Sequence, residues 1–305
     1  GCYLSDPFRG SGNIDALIRR TMRMRIQHPT VSFQSMLRGL LFEYLPGMSL
    51  TDPVAFTFAR ADAATCAQQI SNRYALTSAL ANVLRDSHFD YGTGLRAALF
   101  EPTQPNGWTY SMALDNAAWT KTRATISADA LMAPDGATTM DKLVEDATAA
   151  DTHFLSRDTP ALTDNTRSTV SFRGRPAERT WLGIQTTDKS NTIRTSYVNL
   201  NTGAKGTTDS GHDVVIRQDT ADIALSDIYR VSVTFNGASG ATTPGVRFLL
   251  ATADLTSTYS GDGASGLYLW GINFATDKPH ATSDILTVAS ALTRASDTLT
   301  IPVPW

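Results

Sequence analysis

Gly261-Asp262-Gly263-Ala264-Ser265-Gly266-Leu267-Tyr268-Leu269-Trp270-Gly271 runs a glycine-rich loop straight into an aromatic strand. Side chains of a strand alternate between two faces, so Tyr268, Trp270, Ile272 and Phe274 are expected to share one face, with Trp270 in the core. Upstream, Tyr229, Val231, Val233 and Phe235 point one way and Arg230, Ser232 and Thr234 the other. Val246 to Leu250 is a further apolar run between these two.

The same grammar extends backwards. Trp119 to Ala130 and Thr169 to Arg173 alternate, and Trp181 to Ile184, Ser196 to Leu200 and Asp213 to Arg217 follow. Asn201-Thr202-Gly203, Asn236-Gly237 and Asn106-Gly107 are turn signals between such runs. Short strands at regular intervals predict a mainly β chain built as a sandwich or jelly roll. Thr139 to Thr148 is the one helix-like break in this part, and the Ala-rich Ala61 to Leu84 is expected to be partly helical.

The 305 residues suffice for one large β-sandwich or two domains. Charged residues are 18%, below the usual quarter or so, and Thr, Ala and Ser take their place. That suits sheet surfaces and broad contacts between subunits. The charge is unevenly spread. Residues 1–50 carry six arginines against Asp6, Asp15 and Glu43, which is +3; with −3 overall, the remainder carries −6. Ile14, Leu17, Ile18 and Met22 have helical spacing there, with Arg19, Arg20, Arg23 and Arg25 around them. This segment is expected to be a short mixed anchor that docks to an acidic neighbour. The arginines have no interleaved aromatic platform, so nucleic acid is not the expected partner. No apolar run reaches the roughly 18 residues of a membrane helix, so no membrane insertion is expected.

Chemistry-bearing motifs are sparse. The five histidines, His28, His88, His153, His212 and His280, form no metal-ligand spacing, and Cys2 and Cys66 form no CxxC. There is no GxSxG elbow and no P-loop. With four glutamates in the chain, the expectation is a protein with no catalytic residues, no metal and no cofactor: not an enzyme. Two alternatives stay open. Asp262 in its glycine loop is a candidate calcium ligand. Asp254, Asp262 and Asp277 flank the C-terminal strands and are candidate carboxylates for a glycan-cleaving pair. Sugar contact takes an aromatic platform with carboxylates or amides beside it. Trp181, Tyr197, Tyr259 and Trp305 are the candidate platforms, with Asp254 and Asp262 as polar partners.

The strand Tyr229-Arg230-Val231-Ser232-Val233-Thr234, the tract Gly261 to Gly271, and Thr293-Arg294-Ala295-Ser296-Asp297-Thr298-Leu299-Thr300-Ile301 resemble the jelly-roll region of bacteriophage tail-fibre and minor virion structural proteins. Phe58-Ala59-Arg60-Ala61, Leu99-Phe100-Glu101-Pro102, Asn116 to Lys121, Ala133-Pro134-Asp135-Gly136 and Asp141 to Glu145 follow in that family's order, so the resemblance spans roughly residues 55 to 303. The chain departs from the pattern at Ile228, where relatives carry Trp, and at Gln104-Pro105-Asn106 and Ile272-Asn273-Phe274-Ala275.

The resemblance implies a jelly-roll β-sandwich body over 54–305, with an irregular lead-in over 54–110, behind a virion-docking segment at 1–53. It also implies location in the virion, tail, connector or capsid proteins as partners, and a homo-oligomer, with trimers favoured. The expected role is a tail fibre or tail-associated adhesin with a lectin-like face for host-surface glycan. The alternatives are a capsid decoration or head fibre of purely structural role, and a glycan-degrading tail enzyme.

Overall fold

The computed structural model describes residues 101–218 and 227–298, and outside these the backbone of short strands alone. Those backbone strands are β1 (Thr57–Ala59), β2 (Ala64–Ile70), β3 (Arg73–Ala79), β4 (Arg85–Asp90) and β5 (Leu95–Leu99). The next are β6 (Gln104–Asn106), β7 (Thr120–Thr122), β8 (Ala124–Met132), β9 (Thr138–Glu145), β10 (Asp151–Thr152), β11 (Phe154–Asp158), β12 (Arg167–Pro176), β13 (Trp181–Thr187) and β14 (Ile193–Asn199). Then come β15 (Ala204–Lys205), β16 (His212–Gln218), β17 (Tyr229–Asn236), β18 (Gly245–Ala251), β19 (Thr258–Tyr259), β20 (Gly266–Ala275), β21 (Leu292–Arg294) and β22 (Thr298–Thr300). No helix occurs among the described residues. The anchor expected at 1–53 and its arginines lie outside them.

Two six-stranded sheets form the body. The first has the order β15-β14-β13-β18-β11-β7 and the second β16-β17-β12-β20-β9-β8. Every pairing in them is antiparallel. The chain changes sheet from β9 to β11, again to β12 and again to β13, and does so twice more from β17 to β18 to β20. Such repeated switching makes the two sheets faces of one jelly-roll sandwich, as the strand pattern predicted.

Between the sheets lie Leu143, Phe172, Leu182, Phe235, Phe248 and Phe274 with their neighbours, all buried. Indoles close one end. Trp108 stands edge-on to Trp119 at 5.3 Å and tilted against Phe274 at 4.7 Å. Each indole N–H is used: Trp108 Nε1 donates to Asp158 O at 2.8 Å and Trp119 Nε1 to Tyr110 O at 2.9 Å.

Four expectations from the sequence change. Thr139 to Thr148 is not helical. β9 occupies it, because Met140, Leu143 and Glu145 are buried between partners on both sides. Ala61 to Leu84 is not helical where its backbone is described, and the lead-in carries paired strands, β2 with β3 and β4 with β5. Trp119 to Ala130 is not one strand. Arg123, at φ 50°, breaks it so that β7 joins the first sheet and β8 the second.

The fourth change is the alternation along β20. The register to β12 shifts between Ser171 and Arg173, and Gly271, opposite the shift, takes φ 61°. This glycine-centred bulge adds one residue and reverses the faces. Leu267 and Leu269 therefore share the main core with Ile272 and Phe274. Trp270 turns to the other side of the sheet, where it is buried with Ala133, Met140 and Ile228. Its indole donates to Thr139 Oγ1 at 3.0 Å.

Candidate functional site

The segment 252–265, between β18 and β20, organises one end of the sandwich. It begins with a tight turn in which Thr252 N donates to Thr256 O at 3.0 Å and Thr256 N to Ala253 O at 3.1 Å. Asp254 then ties that turn to the next loop. Its carboxylate accepts Thr207 N at 3.0 Å and Thr207 Oγ1 at 2.9 Å. Tyr197 Oη and Ser257 Oγ lie 3.1 Å apart.

Trp181 opens β13 next to this turn. A methyl added at Gly206 would stand 2.6 Å from Trp181 Cζ3 and 2.6 Å from Asp254 Oδ1, so the glycine backbone rests against both. The indole is part-exposed. Leu182 and Ile184 point into the core, so Trp181 and Gln185 lie on the outer face of the first sheet. Arg247, paired with Gln185 across the sheet, lies there too. Its guanidinium donates to Gln185 Oε1 at 3.1 Å and covers the Phe154 ring at 4.9 Å. The face thus runs from an open aromatic ring, over about 13 Å of strand, to an amide and a guanidinium.

A charged cluster borders it, two residues upstream of Trp181. Glu145, wholly buried, accepts Arg179 Nε at 2.8 Å and Arg179 Nη2 at 2.5 Å. It also accepts Tyr259 Oη at 2.6 Å and the Asp262 amide at 3.0 Å. Burial alone would raise the Glu145 pKa, but the Arg179 and Tyr259 hydrogen bonds outweigh it and hold the carboxyl below its usual range. The Glu145 hydrogen bonds in turn hold the Arg179 guanidinium more firmly charged. Burial and the Glu145 contact push the Tyr259 phenol far up, so it stays a neutral donor. Arg179 covers the Tyr259 ring at 5.1 Å and lies 3.7 Å from Asp262 Oδ2. His153 is tilted against that ring, centroid to centroid 5.0 Å.

The five residues named from sequence therefore gather around one loop in different circumstances. Trp181 is part-exposed, and its indole makes no hydrogen bond, ring or cation contact among the described residues. Tyr197 is buried at 5% exposure and offers no platform. The Tyr259 ring is covered by Arg179. Asp254 and Asp262 hold loops. Asp262 accepts Ala264 N at 2.8 Å, Ser265 N at 2.7 Å and Ser265 Oγ at 2.5 Å, which holds its carboxyl well below the usual range. These donors fill the oxygens that a calcium ion would need. Asp277 likewise binds Thr163 and Thr166. Trp305 lies outside the described residues.

His153 and His212 sit in separate networks, His153 by Tyr259 and His212 between Thr186 and Ser196. Among the described residues no group of three or more His, Cys, Asp or Glu is placed to hold a metal ion. Arg179, Gly206, Gln185 and Arg247 were not singled out from sequence. Glu145 was quoted only for its place in the family order, although a glutamate closing a strand in a glutamate-poor chain is a signal.

No family model and no curated protein matches the chain. Solved structures give distant likenesses. The enzymatically active domain of tailspike protein 4 from bacteriophage CBA120 shares 11% identity over 56% of this chain and 21% of that one, with TM-score 0.36. An exo-β-agarase shares 12% over 55% and 24%, TM-score 0.28, and the agarase AgWH50C 12% over 54% and 25%, TM-score 0.24. The chain thus spans about a fifth to a quarter of their lengths. The expectation of a non-enzyme is corrected on this finding, since the three neighbours are a tailspike enzymatic domain and two agarases. Their distance assigns this chain no activity of its own.

Proposed function

We propose that the chain is a phage tail-associated, glycan-acting sandwich that seats a surface polysaccharide on the outer face of its first sheet. The observation that carries this is Trp181: a part-exposed indole at the head of a row that continues to Gln185 and Arg247. A sugar ring stacks on an aromatic face while its hydroxyls pair with amides and guanidinium groups. The ordered family resemblance in the sequence supports the tail association. The test is retention of the protein on immobilised lipopolysaccharide O-chains and capsular polysaccharides. Retention that drops on Trp181→Ala, with thermal stability unchanged, supports the proposal. The absence of retention on every polysaccharide overturns it.

A second possibility, cleavage of the bound chain, is favoured by Glu145 and Asp262 meeting at Arg179. Both carboxylates are held ionised; Glu145 is buried, so exposed Asp262 would be the nucleophile, and the acid would come from another group. New reducing ends released by the protein and lost in Asp262→Asn support cleavage there.

Residues 1–53 are proposed as the docking segment, through Arg19, Arg20, Arg23 and Arg25, in a trimeric particle component. The charge asymmetry, +3 over residues 1–50 against −6 over the rest, supports it. Loss of particle incorporation when 1–53 is deleted, with the sandwich still folded, is the expected result. Immunogold labelling at the capsid instead of the tail would favour the head-fibre alternative.

A further inference from the structure

Five large apolar side chains are exposed among the described residues: Ile193, Val215, Leu255, Val288 and Leu292. Of these, Leu255 alone has a left-handed backbone, at φ 61°, and it is 64% exposed. Glycine or asparagine takes that conformation readily, whereas a large apolar residue takes it at a cost. An exposed leucine that gains nothing from the core and is held in an unfavourable backbone marks a local compromise, and such compromises gather at binding sites.

The position of the leucine gives its use. It sits at the tip of the turn closed by Thr252 and Thr256. The preceding residue, Asp254, is pinned to Thr207 and meets the Trp181 ring at Gly206. The turn is thus a bracket that holds Leu255 one residue from Asp254, whose carboxylate borders Gly206 together with the Trp181 ring. The bracket is anchored from both sides, by Thr256 Oγ1 donating to Asp254 O at 3.2 Å and by the Tyr197–Ser257 contact at 3.1 Å.

We infer that Leu255 is the second apolar contact of the glycan face, packing on the carbon-bearing side of the pyranose ring that Trp181 seats. The inference rests on the outer face of the first sheet being glycan-binding. The left-handed turn exists to present the side chain, and the saccharide class it selects is one with an apolar patch of C–H groups on the ring bound next to Trp181.

The experiment compares wild type, Leu255→Asn, Leu255→Gly and Trp181→Ala on the same immobilised O-chain and capsular polysaccharides. The expected result for both Leu255 variants is a thermal midpoint equal to or above wild type, with retention weakened by roughly tenfold. A gain in stability with a loss of binding is not what a structural leucine would give. Unchanged retention in the Leu255 variants, with Trp181→Ala still defective, overturns the inference and leaves the glycan face standing. A clear fall in thermal midpoint on Leu255→Asn overturns it as well. Failure of wild type to bind any polysaccharide overturns the glycan face itself and this inference with it.

Discussion

Ser196 and His212, one on each sheet, meet inside the sandwich with Ser196 Oγ 2.8 Å from His212 Nδ1. The other ring nitrogen lies 2.8 Å from Thr186 Oγ1, so this one side chain bridges the second sheet to two strands of the first. Burial is the main cause that lowers the His212 pKa, to about 4; Asp209 opposes it and Arg194 adds to it. In the unfolded chain the ring titrates near 6.5. Between these values the unfolded state holds the extra proton. Stability is therefore complete above about pH 6.5 and falls as pH drops towards about 4, by up to about 3 kcal/mol. Urea unfolding at pH 7.5 and pH 4.5 measures this, and His212→Gln should flatten the slope in that window whatever its absolute stability.

Glu145 offers a contrasting case. Its folded pKa is depressed, so the stability it contributes is present above its ordinary pKa of 4.5 and is lost only as pH falls below that. Removing the carboxylate leaves the Arg179 guanidinium and the Tyr259 hydroxyl facing each other without their acceptor. Glu145→Ala is expected to cost about 3–5 kcal/mol by chemical denaturation. Tyr259→Phe, which removes one donor and leaves the ion pair, is expected to cost only about 1 kcal/mol.

Two of the three departures from the family pattern, at Gln104-Pro105-Asn106 and at Ile272 to Ala275, meet in space. Buried Asn106 donates to Ile272 O at 3.2 Å and Ile285 O at 2.8 Å, and its Oδ1 accepts Phe274 N at 3.0 Å and Trp108 N at 3.2 Å. The side chain thus supplies the pairing that the bulge beside Gly271 takes from the strand. Asn106→Ala orphans four buried backbone groups and is expected to cost about 3 kcal/mol or more. Trp270→Ala, which empties the smaller cluster, is expected to cost about 3–5 kcal/mol. Thermal denaturation of the two variants checks both values.

The strands of the sandwich could be read directly because their period is local: Tyr229 to Phe235 alternates and packs as written. Asn106 reads as a turn residue beside Gly107, because its four partners lie up to 179 residues away. The bulge was hidden for the same reason. Gly271 looks like the end of an aromatic run until its register against β12 is known. Thr139 to Thr148 has helical spacing only while its two flanking partners are out of view. At the candidate site, the aromatic and acidic residues named from sequence gather around one loop. Exposure separated Trp181 from Tyr197, and exposure is a property of tertiary packing. Arg179 and Gly206 carry no signal until Glu145 and Trp181 stand beside them.

Gly206 tests the corner where Trp181 and Asp254 meet. Its backbone is fixed: Gly206 N donates to Tyr197 O at 2.8 Å, and Tyr197 N to Thr207 O at 2.9 Å. In Gly206→Ala the new methyl would lie 2.6 Å from both Trp181 Cζ3 and Asp254 Oδ1, too close for either, so the indole and the Asp254 turn must move apart. Overpacking of this kind costs about 1–3 kcal/mol, and at a part-exposed ring the lower end is expected. The fold should therefore survive with a slightly reduced thermal midpoint, while retention on polysaccharide falls well below wild type. Gly245→Ala is the control. Its methyl would meet neighbours at an ordinary 3.6 Å, at the opposite end of β18 from Ala251, the residue paired with Trp181. It should leave both readouts unchanged. Wild-type retention in Gly206→Ala would mean that polysaccharide does not touch this corner of the sheet.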